Sequence, residues 1–137
     1  MIAGLEVYKR IREEWVNKTK YILEDPGNPE IDITKGFGCW GWVWYFSKEY
    51  GLVLPKESWK AQEEFQEVEK PAQFLDIIGY LAGRDKVHIG SMLNDHLMVH
   101  CSKTGGGVTI DDTTTPPWNR LYGRPAICKL FRHRSFV

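Results

Sequence analysis

KGFGCWGWVWYFSKEYGLVLP, residues 35–55, sets one cysteine, Cys39, at the head of a run holding Trp40, Trp42, Trp44, Tyr45 and Phe46. The run reads as a helix that begins at or near Cys39 and ends about Tyr50. Gly51 supplies the C-cap and Pro55 forbids continuation. Most of these rings belong in a core, which they fill with large apolar area. Gly38 permits a sharp loop-to-helix turn, and Trp40 is the ring placed to line a cleft beside the thiol. Cys39 has two readings, as small core filler or as a reactive group on a helical pedestal. At a helix N-terminus a thiol meets the positive end of the macrodipole and the first-turn N–H groups. Both lower its pKa from about 8.5, and an adjacent imidazolium lowers it further.

Working outward, the 137 residues suffice for one domain with one core, residues 1–137. The 18 basic and 18 acidic side chains cancel, so no polyanion partner is indicated, and nucleic acid is not expected. No apolar run reaches the roughly 20 residues that span a bilayer, so no stable membrane insertion is expected. The start, MIAGLEVYKRIREEWVNKTKY, is charged throughout and lacks the apolar region of a signal peptide. Synthesis in a bacterial cytoplasm without Sec export is the corresponding expectation. Three cysteines, Cys39, Cys101 and Cys128, lack CxxC spacing, which argues against a zinc knuckle, a redox pair or a disulfide framework. Cys101 and Cys128 read as structural thiols, and no metal or cofactor is implied.

Residues 4–23 carry Leu5, Tyr8, Ile11, Trp15 and Ile22 near helical spacing, an amphipathic helix or two short ones. EDPGNPEIDITKGFG reads as a long loop, and KESWKAQEEFQEVEK as a charged helix anchored by Trp59 and Phe65. Then the period changes. FLDIIGYLA, KVHIGSML, HLMVHCS and GVTIDD read as consecutive antiparallel strands, and AICKLFRHRSFV as a last one after a loop. Helices followed by a meander make an α+β fold with helices against one sheet.

Asn94-Asp95 turns the chain between Val87–Leu93 and Leu97–Ser102, which should form a hairpin. His88 and His100 then face each other or stand as diagonal neighbours, with Cβ atoms about 4.5–8 Å apart. A histidine oriented by a second histidine is a sensible base with its positioning partner. His96, in the turn, and His133, in the tail, should face solvent. Cys39 on a helix start, with His88 and His100 across one hairpin, is a consistent layout for thiol acyl transfer.

These segments carry a resemblance. GCWGWVWYFSKEYGLVLP resembles the nucleophile helix of the NlpC-type cell-wall cysteine peptidases. VHIGSML is similar to that family's histidine strand and LMVHCSKTGGGV to the strand that follows it. PAQFLDIIGYLA resembles the preceding Pro-Gly-Asp strand, with Asp76 at the aspartate position. The resemblance covers about residues 36–111. It implies a papain-like fold, with N-terminal helices on a five- or six-stranded antiparallel sheet. Carried onto this chain, Cys39 is the nucleophile, His88 the base and His100 the third member, with Trp40 and Gly38 toward substrate. The Cys-Trp-Gly form resembles the branch found in bacteriophage tail proteins. That implies a virion tail tip, other phage tail proteins as partners, and action on host peptidoglycan. The substrate implied is the peptidoglycan stem peptide, cut between D-γ-glutamate and a diamino acid. The alternative is a structural or assembly protein of the tail tip that keeps the fold with little hydrolase activity. The chain departs from the family pattern at Gly38, where aspartate is usual. It departs again upstream, where Gly27 falls near the place of a common tyrosine and Tyr21 could substitute only if the loop folds back.

Overall fold

The computed structural model describes residues 4–23, 34–82, 86–103, 105–116, 118–121, 124–125 and 128–137. The amphipathic segment forms α1, Gly4–Glu14, which buries Val7 and Ile11. Non-helical turns follow through residue 18. Most of the expected long loop, residues 24–33 with Gly27, lies outside the described residues.

The chain then returns along itself. Tyr21 and Phe37 form a parallel bridge, with Phe37 N–H donating to the Lys20 carbonyl at 3.0 Å and Ile22 N–H to that of Phe37 at 3.0 Å. Gly36 is indispensable to this approach. Its φ is +119°, and a Cβ there would lie 2.2 Å from the Lys20 carbonyl oxygen. The buried Cys101 thiol donates to the Phe37 carbonyl at 3.0 Å, so this thiol is structural, as expected. Three contacts thus hold residue 37, two positions before Cys39.

Helix α2, Cys39–Glu49, starts where the sequence places it, capped by Gly38 in extended backbone with no side-chain hydrogen bond. Gly51 follows the C-cap with φ +88°, which relieves the left-handed turn. Trp42, Val43 and Phe46 are buried, and Trp15 meets Trp42 edge-on at 5.4 Å. The aromatic run is therefore mainly core. A fully buried ring of this size contributes about 4–6 kcal/mol of transfer free energy.

Helix α3 is shorter than its charged pattern suggested, Ser58–Gln62, and Trp59 is 58% exposed rather than an anchor. Phe65, which is buried, begins strand β1, Phe65–Val68. The remaining strands are β2 Ile77–Ala82, β3 Lys86–Met92, β4 Leu97–Ser102, β5 Gly107–Asp112, the short β6 Arg120–Leu121 and β7 Arg124–Pro125, and β8 Cys128–His133. Six of them form one antiparallel sheet in the order β1-β8-β2-β3-β4-β5. The meander holds from β2 to β5, but the last strand inserts between β1 and β2. A buried ion pair ties that insertion, with Arg132 Nε and Nη2 donating to the Asp76 carboxylate at 2.9 and 2.8 Å. His133 is not solvated as expected. It bonds Glu64 at 3.0 Å and packs edge-on against Phe65.

Side-chain alternation gives the sheet two faces. Ile77, Ile89, Val99 and Cys101 face α2, which packs on β3 and β4. Ile78, Tyr80, Met92, Met98 and Leu130 form a second cluster on the far face, under Trp118. The result is an α+β domain, as the sequence pattern implies.

Candidate active site

The site grows from the β3–β4 hairpin. Asn94 makes the turn, its side chain accepting from the His96 and Leu97 amides at 2.9 and 2.8 Å, and His96 is exposed as expected. The register pairs Ser91 with Val99 and Met92 with Met98, which sets Gly90 beside His100 and makes His88 its diagonal neighbour. The absence of a side chain at 90 leaves the His100 ring room to reach across. His88 Nε2 and His100 Nδ1 lie 2.6 Å apart.

The contact extends one strand further. His100 Nε2 lies 2.7 Å from Asp111 Oδ2 on β5. Asp111 pairs opposite Met98 on β4, diagonal to His100, so the three groups step across β3, β4 and β5 on one face. His100 is 0% exposed, and both of its ring nitrogens have partners. Trp118, from the loop after β5, covers the pair, stacked on His88 at 5.4 Å and edge-on to His100 at 4.6 Å. Its indole also helps to hold the Asp111 carboxyl down. Asp111 was not foreseen, because its link to His100 depends on the β4–β5 register. Alternation along GVTIDD was the available signal. For Trp118, in a loop, there was none.

Electrostatics follow from burial. Burial pushes the His88 imidazolium down from 6.5 to about 4, the neighbouring His100 pushes the same way, and Asp111 opposes both. His88 is therefore a neutral ring at neutral pH, able to accept a proton. The hydrogen bond from His100 holds the Asp111 carboxyl below its ordinary range, with the Trp118 indole adding to it.

Cys39 is the first residue of α2 and is half-buried, as a reactive thiol requires. It opens on a largely apolar cleft of about 430 Å³ between α2, α3 and strands β1, β2, β3 and β8. Trp40 lines that cleft beside Cys39, with its indole N–H fixed on the Lys56 carbonyl at 2.6 Å. Phe65, Ile77, Ile89 and Phe131 supply the apolar walls, and Ser58, Gln62 and Lys129 polar lining. Ile89 is the neighbour of His88 on β3. The first turn of α2 and the histidine pair therefore address the same stretch of β3, from its two faces. Gly38 contributes the extended N-cap and no side chain. Tyr21 bridges Phe37, so the chain there runs alongside the residues just before Cys39. Cys128 is exposed rather than structural, at the start of β8 opposite Tyr80.

Known proteins give the arrangement a context. The model of the NlpC/P60 family matches residues 25–125. A murein DD-endopeptidase/murein LD-carboxypeptidase, MepS, of Escherichia coli K12 is 31% identical over 124 residues, 89% of this chain and 63% of that protein. The chain thus spans under two thirds of that relative's length. An NLP/P60-family protein of Staphylococcus aureus shares the fold with a TM-score of 0.65 at 17% identity, over 95% of this chain and 41% of the other. The P60 domain of a Mycobacterium avium antigen matches with a TM-score of 0.58 at 20% identity, over 96% and 97% of the two chains. The peptidoglycan hydrolase RipB of Mycobacterium tuberculosis matches with a TM-score of 0.60 at 22% identity, over 94% and 63%. With its signature segments in order and its sheet built on the same plan, the chain belongs to the NlpC/P60 family.

Proposed function

We propose that this chain is a thiol hydrolase of peptidoglycan stem peptides, with Cys39 as nucleophile, His88 as base and His100 as its positioning partner. The observation that carries the reading is the 2.6 Å contact between His88 Nε2 and His100 Nδ1. It occupies one nitrogen of His88 and leaves Nδ1 for the thiol proton.

The chemistry runs in two halves. Cys39 Sγ attacks the peptide carbonyl while its proton passes to His88 Nδ1. The positive end of α2 favours the oxyanion of the tetrahedral intermediate. Its collapse breaks the C–N bond, His88 returns the proton to the leaving amine, and a thioester remains on Cys39. His88 then takes a proton from water as it attacks the thioester, which releases the carboxylate and regenerates the thiol.

The bond proposed is that between D-γ-glutamate and the diamino acid, by likeness to the family. The Escherichia coli relative is named for DD-endopeptidase and LD-carboxypeptidase activities, so those bonds belong in the same assay. The Cys-Trp-Gly start supports delivery by a phage tail, with other tail proteins as partners and the host cell wall as the place of action. Digestion of purified peptidoglycan, with mass analysis of the fragments, tests the reading. Wild type is expected to release stem-peptide fragments, and Cys39→Ala none. Equal fragments from both would refute Cys39 as nucleophile. No fragments from either would favour a structural tail protein, a reading that the missing side-chain cap at Gly38 also suits.

A further inference from the structure

We propose that Asp111 is a positioning residue, which sets the proton on His100 and through it selects the nitrogen of His88 that acts as base. The inference rests on the thiol-hydrolase reading and adds a fourth member to its machinery.

An ionised carboxylate can only accept, so the 2.7 Å contact with Asp111 places a proton on His100 Nε2. In a neutral ring the other nitrogen, Nδ1, is then an acceptor. Its 2.6 Å contact with His88 requires His88 Nε2 to donate. That leaves the lone pair of His88 at Nδ1, on the side away from His100. Asp111 thus propagates one tautomer through two rings. Without it, His100 is free to hold its proton at Nδ1, and His88 would then carry its own at Nδ1, where the thiol proton must go.

Trp118 favours the arrangement, because the indole N–H can only donate and so favours the ionised carboxylate. Its ring also covers both imidazoles. The groups around His88 are Tyr80 on β2, His100 on β4 and Asp111 on β5, with Trp118 stacked on the ring and Cys128 beyond Tyr80. Burial keeps the Tyr80 hydroxyl protonated. Asp111 is the acidic group among them, and it stabilises the imidazolium that forms on His88 during transfer.

The test separates this claim from the hydrolase reading, because its first readout needs no turnover. In Cys39→Ala protein, which removes the thiol's titration, nitrogen-15 NMR of the histidines reports tautomer and midpoint. The expected result is His88 protonated at Nε2. An amide at 111 has one oxygen for two donors, and the imidazole is the one that can switch. Asp111→Asn should therefore move His88 toward the Nδ1–H form and lower its midpoint. Trp118→Phe keeps the covering ring and removes only the indole N–H, so a smaller shift in the same direction is expected. In the Cys39 enzyme, Asp111→Asn should lower kcat about 10–100-fold with KM unchanged, and Asp111→Glu should recover part of it. A folded Asp111→Asn protein whose His88 tautomer and midpoint match the parent would overturn the inference, whatever the enzyme hydrolyses.

Discussion

Gly90→Ala tests the geometry of the histidine pair with a single methyl group. A Cβ at 90 would lie 3.0 Å from His100 Cβ, 3.2 Å from the Val99 carbonyl oxygen and 3.3 Å from Met98 Sδ. Carbon atoms in good contact stand about 3.5–4.0 Å apart, so His100 must recede by roughly 0.5–1 Å. It is fully buried and held at both ring nitrogens, at 2.6 and 2.7 Å, so it cannot recede without stretching one contact. A 2.6 Å contact lengthened by that amount stands at about 3.1–3.6 Å, from the long end of the hydrogen-bond range to beyond it. Overpacking costs about 1–3 kcal/mol, and the reduced freedom of the unfolded chain returns about 0.4–1 kcal/mol. For a domain of this size the net loss lowers Tm by roughly 3–10 °C. A displacement near 1 Å in a catalytic group costs on the order of 100-fold in rate. Thermal melts and initial rates of peptidoglycan digestion, taken well below the melt, measure both. A variant that melts earlier but digests at the wild-type rate would refute the coupling of the His88–His100 contact to catalysis. One unchanged in both would refute the packing itself.

Three further outcomes follow from the same geometry. His88 is held at about 4 when folded against 6.5 in a free chain, so between those values the unfolded state binds the proton that the folded state refuses. Its contribution is intact above about pH 6.5 and is lost as pH falls toward 4, at most about 3 kcal/mol. Denaturant titrations of His88→Gln should therefore show a flatter profile across that window, and a profile parallel to wild type would contradict the burial argument. Asp76→Ala leaves the partly buried Arg132 guanidinium with only the Pro71 carbonyl and should cost about 1.5–3 kcal/mol in chemical denaturation. A loss under about 1 kcal/mol would show that the pair does not secure β8. Gly36→Ala forces a Cβ against the Lys20 carbonyl at positive φ, and a loss of at least about 2 kcal/mol is expected. Wild-type stability there would mean that the loop before Cys39 is not pinned to residues 20–22.

How much of this was readable from residues depends on how local each cause is. Helix α2 was readable because its cap, its apolar content and Gly51 all lie within thirteen positions. The β3–β4 hairpin was readable because Asn94 makes its turn from within the turn itself. Strand β1 was missed for the opposite reason. EEFQEV is rich in helix formers, and the burial of Phe65 together with pairing to β8, over sixty residues away, overrides that propensity. His133 was misplaced with it, since its partner Glu64 borders the same pairing. Within the site, His88 and His100 are separated by one tight turn, so their meeting could be foreseen. Asp111 needed the register of a second strand pair, and Trp118 the path of a loop.

The central claim is that Cys39 is a nucleophile served by His88. Its most direct measurement is the alkylation rate of Cys39 by iodoacetamide near neutral pH, in a Cys128→Ser background that removes the other exposed thiol. The account predicts that wild-type Cys39 reacts at least about tenfold faster than the same cysteine in His88→Gln, and far faster than buried Cys101. Equal rates with and without the His88 imidazole would contradict it.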